Sequence, residues 1–225
     1  MPISRNVNLD FFKVWSHEMA YVLGFFAADG NMMKSKRGNH YISFYSTDHH
    51  IIKDIRERLG SNHKIGVRVS ANLKWRDMYN LQIGSKEMFN DLLVLGMTPN
   101  KSKTLKFPCI PELYFNDFLR GYFDGDGHVS WGIYPRKNRP TLQKALIVGF
   151  TSGSYEFLAD LHIALKNKDI VNKGSLFTKK SSYSCLQFSK SDSLSIYDCL
   201  YKTPSSGLYL PRKKKVFDQF ISLRV

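Results

Sequence analysis

Residues 22–30 read VLGFFAADG, and residues 119–127 read LRGYFDGDG. Both have the form x-x-Gly-aromatic-Phe-x-small-Asp-Gly, with Asp29 answering to Asp126, and the similarity continues downstream in the same order. ISFYSTDHHIIKDIRERL (42–59) aligns with VGFTSGSYEFLADLHIAL (148–165), so that Phe44 matches Phe150 and Ser46 matches Ser152. LQIGSK (81–86) aligns with LQFSKS (186–191), and NKSKTLKF (100–107) resembles RKKKVFDQF (212–220). Offsets that drift while order is kept indicate a diverged tandem duplication with loop insertions.

Each half reads the same way. The first opens with an apolar helix at about 17–28. Strands follow near 31–35 and 40–47, then a helix with Ile51, Ile52, Ile55 and Leu59 on one face, strands near 64–70 and 76–83, and a helix at about 85–95. The second gives a helix at about 113–125, strands near 128–134 and 143–151, a helix at 153–167, strands near 173–179 and 183–189, and short helices beyond. The expected fold is α+β: tandem αββαββα repeats related by a pseudo-two-fold axis, with two antiparallel sheets. Repeat one covers 1–99, a joint with Pro108 and Pro111 covers 100–115, and repeat two covers 116–225.

Gly24 and Ala28 are four apart, as are Gly121 and Gly125, so each motif helix has one face without large side chains, on which two backbones can approach closely. Packing the helices on these faces brings Asp29 and Asp126 to one end, where the helix dipole and their mutual repulsion both oppose the charge. A divalent cation between them removes both penalties. The two carboxylates, with the backbone carbonyls of Ala28 and Gly125, suit Mg²⁺ with water completing its coordination. Gly30 and Gly127 are expected to end the helices in the left-handed conformation.

Composition narrows the partners. The 225 residues carry Lys+Arg 33 against Asp+Glu 19, a formal charge of +14, spread over many segments, which favours a polyanion. With 43% hydrophobic and 14% aromatic residues the chain can bury a sizeable core. Cys109, Cys185 and Cys199 form neither a CxxC motif nor a paired framework, which fits a reducing intracellular compartment, cytoplasm, nucleoid or organelle matrix. The longest uncharged apolar run, Met19–Ala28, is too short to span a bilayer, and no secretory signal is visible, so no membrane is expected.

The two motifs and their flanks resemble the LAGLIDADG homing endonucleases in the single-chain form with two motifs, over roughly 17–222. The resemblance implies a saddle of two sheets laid along the DNA major groove and a site-specific, Mg²⁺-dependent double-strand endonuclease. In such an enzyme Mn²⁺ is expected to substitute, and Ca²⁺ to support binding without cleavage. The motif acids, here Asp29 and Asp126, would hold the metal, and a lysine and a glutamine from each half would stand beside them. Gln82 and Gln187 occupy equivalent positions, although a strand glutamine can also read a base. Lys101 and Lys213 match through the repeat, with Lys103 and Lys215 as alternatives in the same basic clusters.

The first motif has Ala27 where the second has Asp124, so Asp124 is read as a cap or local hydrogen-bonding residue. DNA contact is expected from Lys34, Lys36, Arg37, His40, Arg68, Lys74, Trp75, Arg76, Arg136, Lys137, Arg139, Lys144, Lys179, Lys180 and Tyr183. Two half-site readers in one chain predict a monomer on a partly palindromic site. An RNA maturase acting on its own intron RNA, or a non-cleaving DNA-binding regulator of the same fold, are the alternatives. With no protein-splicing signals seen beside the domain, a free-standing or intron-encoded enzyme is expected over an intein.

Overall fold

The computed structural model describes residues 5–72, 74–135, 141–179, 182–189, 191–202 and 204–223. The first repeat runs α1 (His17–Asp29), β1 (Gly30–Lys34), β2 (His40–Ser46), α2 (His49–Arg58), β3 (Ile65–Arg68), β4 (Met78–Gly84) and α3 (Lys86–Val94). The second runs α4 (Phe115–Asp126), β5 (Gly127–Pro135), β6 (Leu142–Ser152), α5 (Tyr155–Asn167), β7 (Ser175–Lys179), β8 (Tyr183–Ser189) and α6 (Ser191–Tyr201), and α7 (Pro211–Ser222) follows. The expected αββαββα order holds in both halves. The chain after residue 189 forms two helices of 11 and 12 residues where only short ones were expected.

Each repeat builds one four-stranded antiparallel sheet, in the orders β1-β2-β4-β3 and β5-β6-β8-β7. The registers correspond residue by residue. Gly30 pairs with Phe44 and Gly127 with Phe150, while Ser43 pairs with Gln82 and Gly149 with Gln187. Alternation sends Ile42, Phe44, Leu81 and Ile83 of one sheet, and Leu146, Val148, Phe150, Leu186 and Phe188 of the other, into the cores beneath the helices. Serines cap the helices where the apolar periodicity starts: Ser16, Ser85 and Ser154 accept from the backbone N–H of Met19, Met88 and Phe157.

By compactness the chain divides into two units. One comprises Met1–Lys101, Pro108–Gly125 and Ser205–Leu208, and the other Ser102–Phe107, Asp126–Pro204 and Tyr209–Val225. Thus α4, which begins the second repeat in sequence, packs with α1 in the first unit. Every residue of α1 from Met19 to Ala27 is buried, which accounts for its lack of a polar face. No described helix is long and apolar enough to cross a membrane.

The α1–α4 contact is backbone against backbone. A Cβ built on Gly24 would lie 2.1 Å from the carbonyl oxygen of Phe118, and one on Gly121 would lie 2.0 Å from that of Tyr21. Ala28 and Gly125 meet one turn further along, where a Cβ on Gly125 would lie 2.4 Å from Cβ of Ala28. Around this pair, buried Asp117 and Arg120 form an ion pair within α4. Arg120 also donates to Ser206 Oγ (2.8 Å) and to the Leu208 carbonyl (2.8 Å), so residues 205–208 are held on this unit. His17 Nδ1 lies 2.7 Å from Asp117 at the start of α1.

Two expectations need correction. Gly30 does not end α1 in the left-handed conformation: its φ of −92° and ψ of 154° are extended, and Gly127 has no positive φ either. Each glycine is already the first residue of a strand, so the helix passes directly into the sheet. Gly30 is needed for space, because a Cβ there would fall 2.3 Å from the Phe26 ring. Asp124 is not a local cap. It is buried, and its carboxylate accepts from the Tyr21 hydroxyl of α1 at 2.7 Å, a bond across the helix pair.

Candidate functional site

The same constellation is built once in each unit. In the first, Asp29 is the last residue of α1, and the Lys101 ammonium donates to the carbonyl of the next residue, Gly30. In the second, Asp126 is the last residue of α4, and Lys213 donates to the Gly127 carbonyl at 2.6 Å. Lys101 and Lys213 are 6% and 5% exposed, while the neighbouring Lys103 and Lys215 are exposed, so the geometry separates residues that the basic clusters left ambiguous. Lys101 sits on a single 3-10 turn (Lys101–Lys103) and Lys213 in the first turn of α7. Different local structures therefore deliver an ammonium to the same place.

A helix C-terminus exposes unpaired carbonyls and repels a carboxylate, so an ammonium held there offsets part of that field. The Asp126 carbonyl also accepts from Thr151 Oγ1 at 2.8 Å, which pins the backbone of that aspartate to β6. On the first unit the absence of a Cβ on Gly125 makes room for Asp29, whose Oδ2 would lie 3.3 Å from such an atom. Among the described residues no cluster of three or more His, Cys, Asp or Glu side chains could hold a metal alone. A cation at these aspartates would draw its remaining ligands largely from carbonyl oxygens, water or a bound anion, a hard-oxygen set that fits Mg²⁺ or Ca²⁺.

The glutamines lie on the sheet face away from the helices. Gln82 is opposite Ser43 and within 3.4 Å of its hydroxyl; Gln187 is opposite Gly149. One residue of this neighbourhood escaped the sequence reading. His128, the residue after the motif glycine, pairs with Gly149, and a Cβ on Gly149 would lie 2.2 Å from the imidazole, so the ring fills the space that a side chain there would take. The sheet beneath it removes hydration, and Lys179 and Lys213 add positive charge; together they lower its pKa below the usual imidazole value. The signal was present, since Asn31 occupies the corresponding place opposite Ser43 in the first repeat.

The open sheet faces are mostly neutral and polar. In the first unit Asn31, Tyr41, Ser43, Tyr45, Asn80 and Gln82 share this face with Arg68, while in the second His128, Ser130, Gln143, Gln187 and Ser189 share it with Lys179. Tyr183 pairs with Lys179 at the end of this face. Three residues expected to contact DNA from the strands lie on the helix side. Lys34 and His40 pair with each other in the row of Met32 and Ile42, and the His40 ring packs on Phe89 of α3 (centroids 4.8 Å). Lys144 shares the row of Leu146 and donates to the Leu223 carbonyl after α7. Lys36 and Arg37 are exposed in the β1–β2 turn, and Lys74, Trp75 and Arg76 are exposed in the β3–β4 connection. Arg136, Lys137, Arg139 and Lys180 lie outside the described residues.

Comparison with known proteins bears on the family and the fold. The model of the LAGLIDADG-like domain matches twice, over residues 16–93 and 116–195. A probable translation initiation factor IF-2 of Thermococcus kodakarensis is 31% identical over 152 residues, 64% of this chain but 12% of that protein, so the chain spans a small part of the curated relative's length. Among solved structures, I-SmaMI bound to an uncleaved DNA target in the presence of calcium ions superposes with a TM-score of 0.62 at 12% identity, covering 93% of this chain and 90% of that one. The homing endonuclease I-WcaI bound to its DNA recognition sequence gives 0.60 at 19% identity, covering 92% and 89%. At these identities the likeness concerns the fold. With the family model matched in both repeats and each repeat folded as αββαββα, the chain belongs to the LAGLIDADG-like domain family.

Proposed function

We propose that this chain is a site-specific double-strand DNA endonuclease that hydrolyses one phosphodiester on each strand with a divalent metal. The observation carrying this reading is the duplicated constellation: an aspartate ending the motif helix, a buried lysine on the following glycine carbonyl, and a glutamine on the open sheet face. A structural role alone does not require a strongly basic chain to repeat these four groups in both halves. Asp29 and Asp126, with the carbonyls of Ala28 and Gly125, would hold Mg²⁺. When bound, the ion would supply Lewis-acid activation of water and stabilisation of charge on the phosphate.

The chain's own residues do the rest. Lys101 and Lys213 fix the strand starts at Gly30 and Gly127 and place positive charge where phosphate charge develops. Gln82 and Gln187 present amides that can orient water or meet a base edge. The neutral open faces suit hydrogen bonding to base edges in a major groove, and the exposed basic turns suit phosphates. The structure of I-SmaMI with calcium ions and uncleaved DNA supports a metal that permits binding without cutting, here Ca²⁺, with Mg²⁺ or Mn²⁺ for cleavage. A monomer in a reducing compartment completes the proposal.

The test is Mg²⁺-dependent linearisation of plasmids carrying a randomised insert, followed by sequencing of the cut ends. A chain that binds duplex DNA but leaves every insert intact would be a non-cleaving regulator, and one that binds intron RNA in preference to duplex would be a maturase. Two further results are expected. The logarithm of the affinity should fall against log salt with a slope of about −4 or steeper, as several phosphates release their counterions, and a flat dependence would remove nucleic acid as the partner. Lys101→Met should lower the cleavage rate by about 10–100-fold while Lys103→Met leaves it unchanged, and the reverse order would move the assignment to Lys103.

A further inference from the structure

We infer that the β3–β4 connection of the first repeat is an aromatic DNA clamp that the shorter β7–β8 connection of the second does not match, so that the two halves hold their half-sites unequally. This rests on the DNA-binding part of the proposed function and adds a specific contact to it.

The connection covers residues 69–77, whereas β7 and β8 are joined by only three residues, Lys180-Ser181-Ser182, none of them aromatic. In the longer connection Trp75 is 73% exposed and Val69 74%, beside Met78 at the start of β4. An exposed tryptophan is unfavourable in water and is the residue type most enriched where a partner covers it.

The backbone on either side of this tryptophan is tied down. Ser70 N–H donates to Asp77 at 3.0 Å, and Asn72 N–H to Ser70 Oγ at 3.2 Å. Lys74 N–H donates to Asn72 Oδ1 at 3.0 Å, and Trp75 N–H to the Asn72 carbonyl at 2.9 Å. These bonds lower the backbone ordering cost of presenting Trp75 to a partner.

The chemistry around the ring selects the occupant. Arg68, Trp75, Arg76, Val69 and Met78 line a surface cleft of about 490 Å³. Arg68 and Met78 face each other across the β3–β4 ladder on the open sheet face, the face of Asn80 and Gln82, so the cleft continues the surface assigned to DNA. Arg68, Lys74 and Arg76 supply three cations within nine residues. Asp77 is engaged by the Ser70 amide, and Asp48 lies 3.9 Å from Arg76. A partner with flat or methyl-bearing apolar surface framed by negative charge fits this arrangement, and duplex DNA offers that in its sugars and thymine methyls beside the phosphates. Trp75 supplies apolar contact and the cations supply phosphate neutralisation.

The two contributions separate experimentally. Full-length protein would be titrated with a fluorescein-labelled 40-base-pair duplex of mixed sequence, in Ca²⁺, over a salt series. Trp75→Ala should bind about tenfold more weakly with the salt slope unchanged, Trp75→Phe should recover most of the loss, and Arg76→Gln should reduce the slope by about one. Since Trp75 is exposed, the melting midpoint should not move, which separates a lost contact from a lost fold. Parental affinity in Trp75→Ala, with the parent binding normally, would overturn the clamp and leave the endonuclease reading intact. Absence of binding by the parent itself would overturn both.

Discussion

Asp126→Asn is expected to abolish Mg²⁺-dependent cleavage, by about 10³-fold or more, while leaving DNA binding unchanged or slightly tighter. Asp126 closes α4, and its backbone is held by the Thr151 hydroxyl on its carbonyl and by the pairing of Gly127 with Phe150. Both contacts use the backbone, and an amide of the same size keeps them. What the amide loses is the negative charge that attracts a hard cation. Without metal, the lost charge also relieves repulsion toward phosphate and toward the C-terminal end of the helix dipole. Asp29→Asn should behave in the same way, since its constellation is the same. Asp124→Asn is the informative control: its carboxylate accepts from Tyr21, an amide oxygen can also accept, and substantial activity should remain. Cleavage of a cognate duplex measured beside binding in Ca²⁺ decides the matter. Near-parental cutting by Asp126→Asn, or a dead Asp124→Asn, would mean that the wrong carboxylate of the DGDG sequence has been assigned to the metal.

Gly121→Leu and Gly24→Leu should each lower the melting midpoint drastically or prevent folding. A Cβ at Gly121 would sit 2.0 Å from the Tyr21 carbonyl oxygen and 2.8 Å from the Phe25 nitrogen; at Gly24, 2.1 Å from the Phe118 oxygen. These atoms belong to backbone, so no change of rotamer relieves the overlap, and the helices must separate along a surface where Tyr21, Phe25, Phe118 and Tyr122 are fully buried. Overpacking ordinarily costs about 1–3 kcal/mol, and contact with rigid backbone places these variants at or above the upper end. For a chain of this size, 3 kcal/mol corresponds to roughly 6–12 °C. Thermal unfolding followed by circular dichroism is the measurement, and an unchanged midpoint in both variants would contradict the helix contact.

How much of this the sequence contained differs from residue to residue. The duplicated motif, the alternating and helical periods and the glycine spacing are local patterns. They determined the αββαββα repeats, most element boundaries to within two or three residues, the close approach of the two motif helices at Gly24 and Gly121, and the place of Asp29 and Asp126 at the ends of those helices. Counting by twos from buried Phe44 and Phe150 would also have placed His40 and Lys144 on the helix side, since alternation alone sets the face of a strand residue. The sheet order, with β4 between β2 and β3, needed long-range pairing, and so did the position of Gln82 beside Ser43.

Tertiary structure alone decided three things. It turned Lys101 and Lys213 inward to a glycine carbonyl and left Lys103 and Lys215 exposed, a difference the basic clusters do not show in sequence. It made Asp124 the partner of Tyr21, more than a hundred residues away, where sequence proximity suggested a local cap. It also replaced the left-handed helix ends at Gly30 and Gly127 with direct entry into strands, because the pull of sheet pairing on those glycines outweighed the local preference of a helix terminus. In each case the deciding partner is distant in sequence and close only after folding, which no local pattern records.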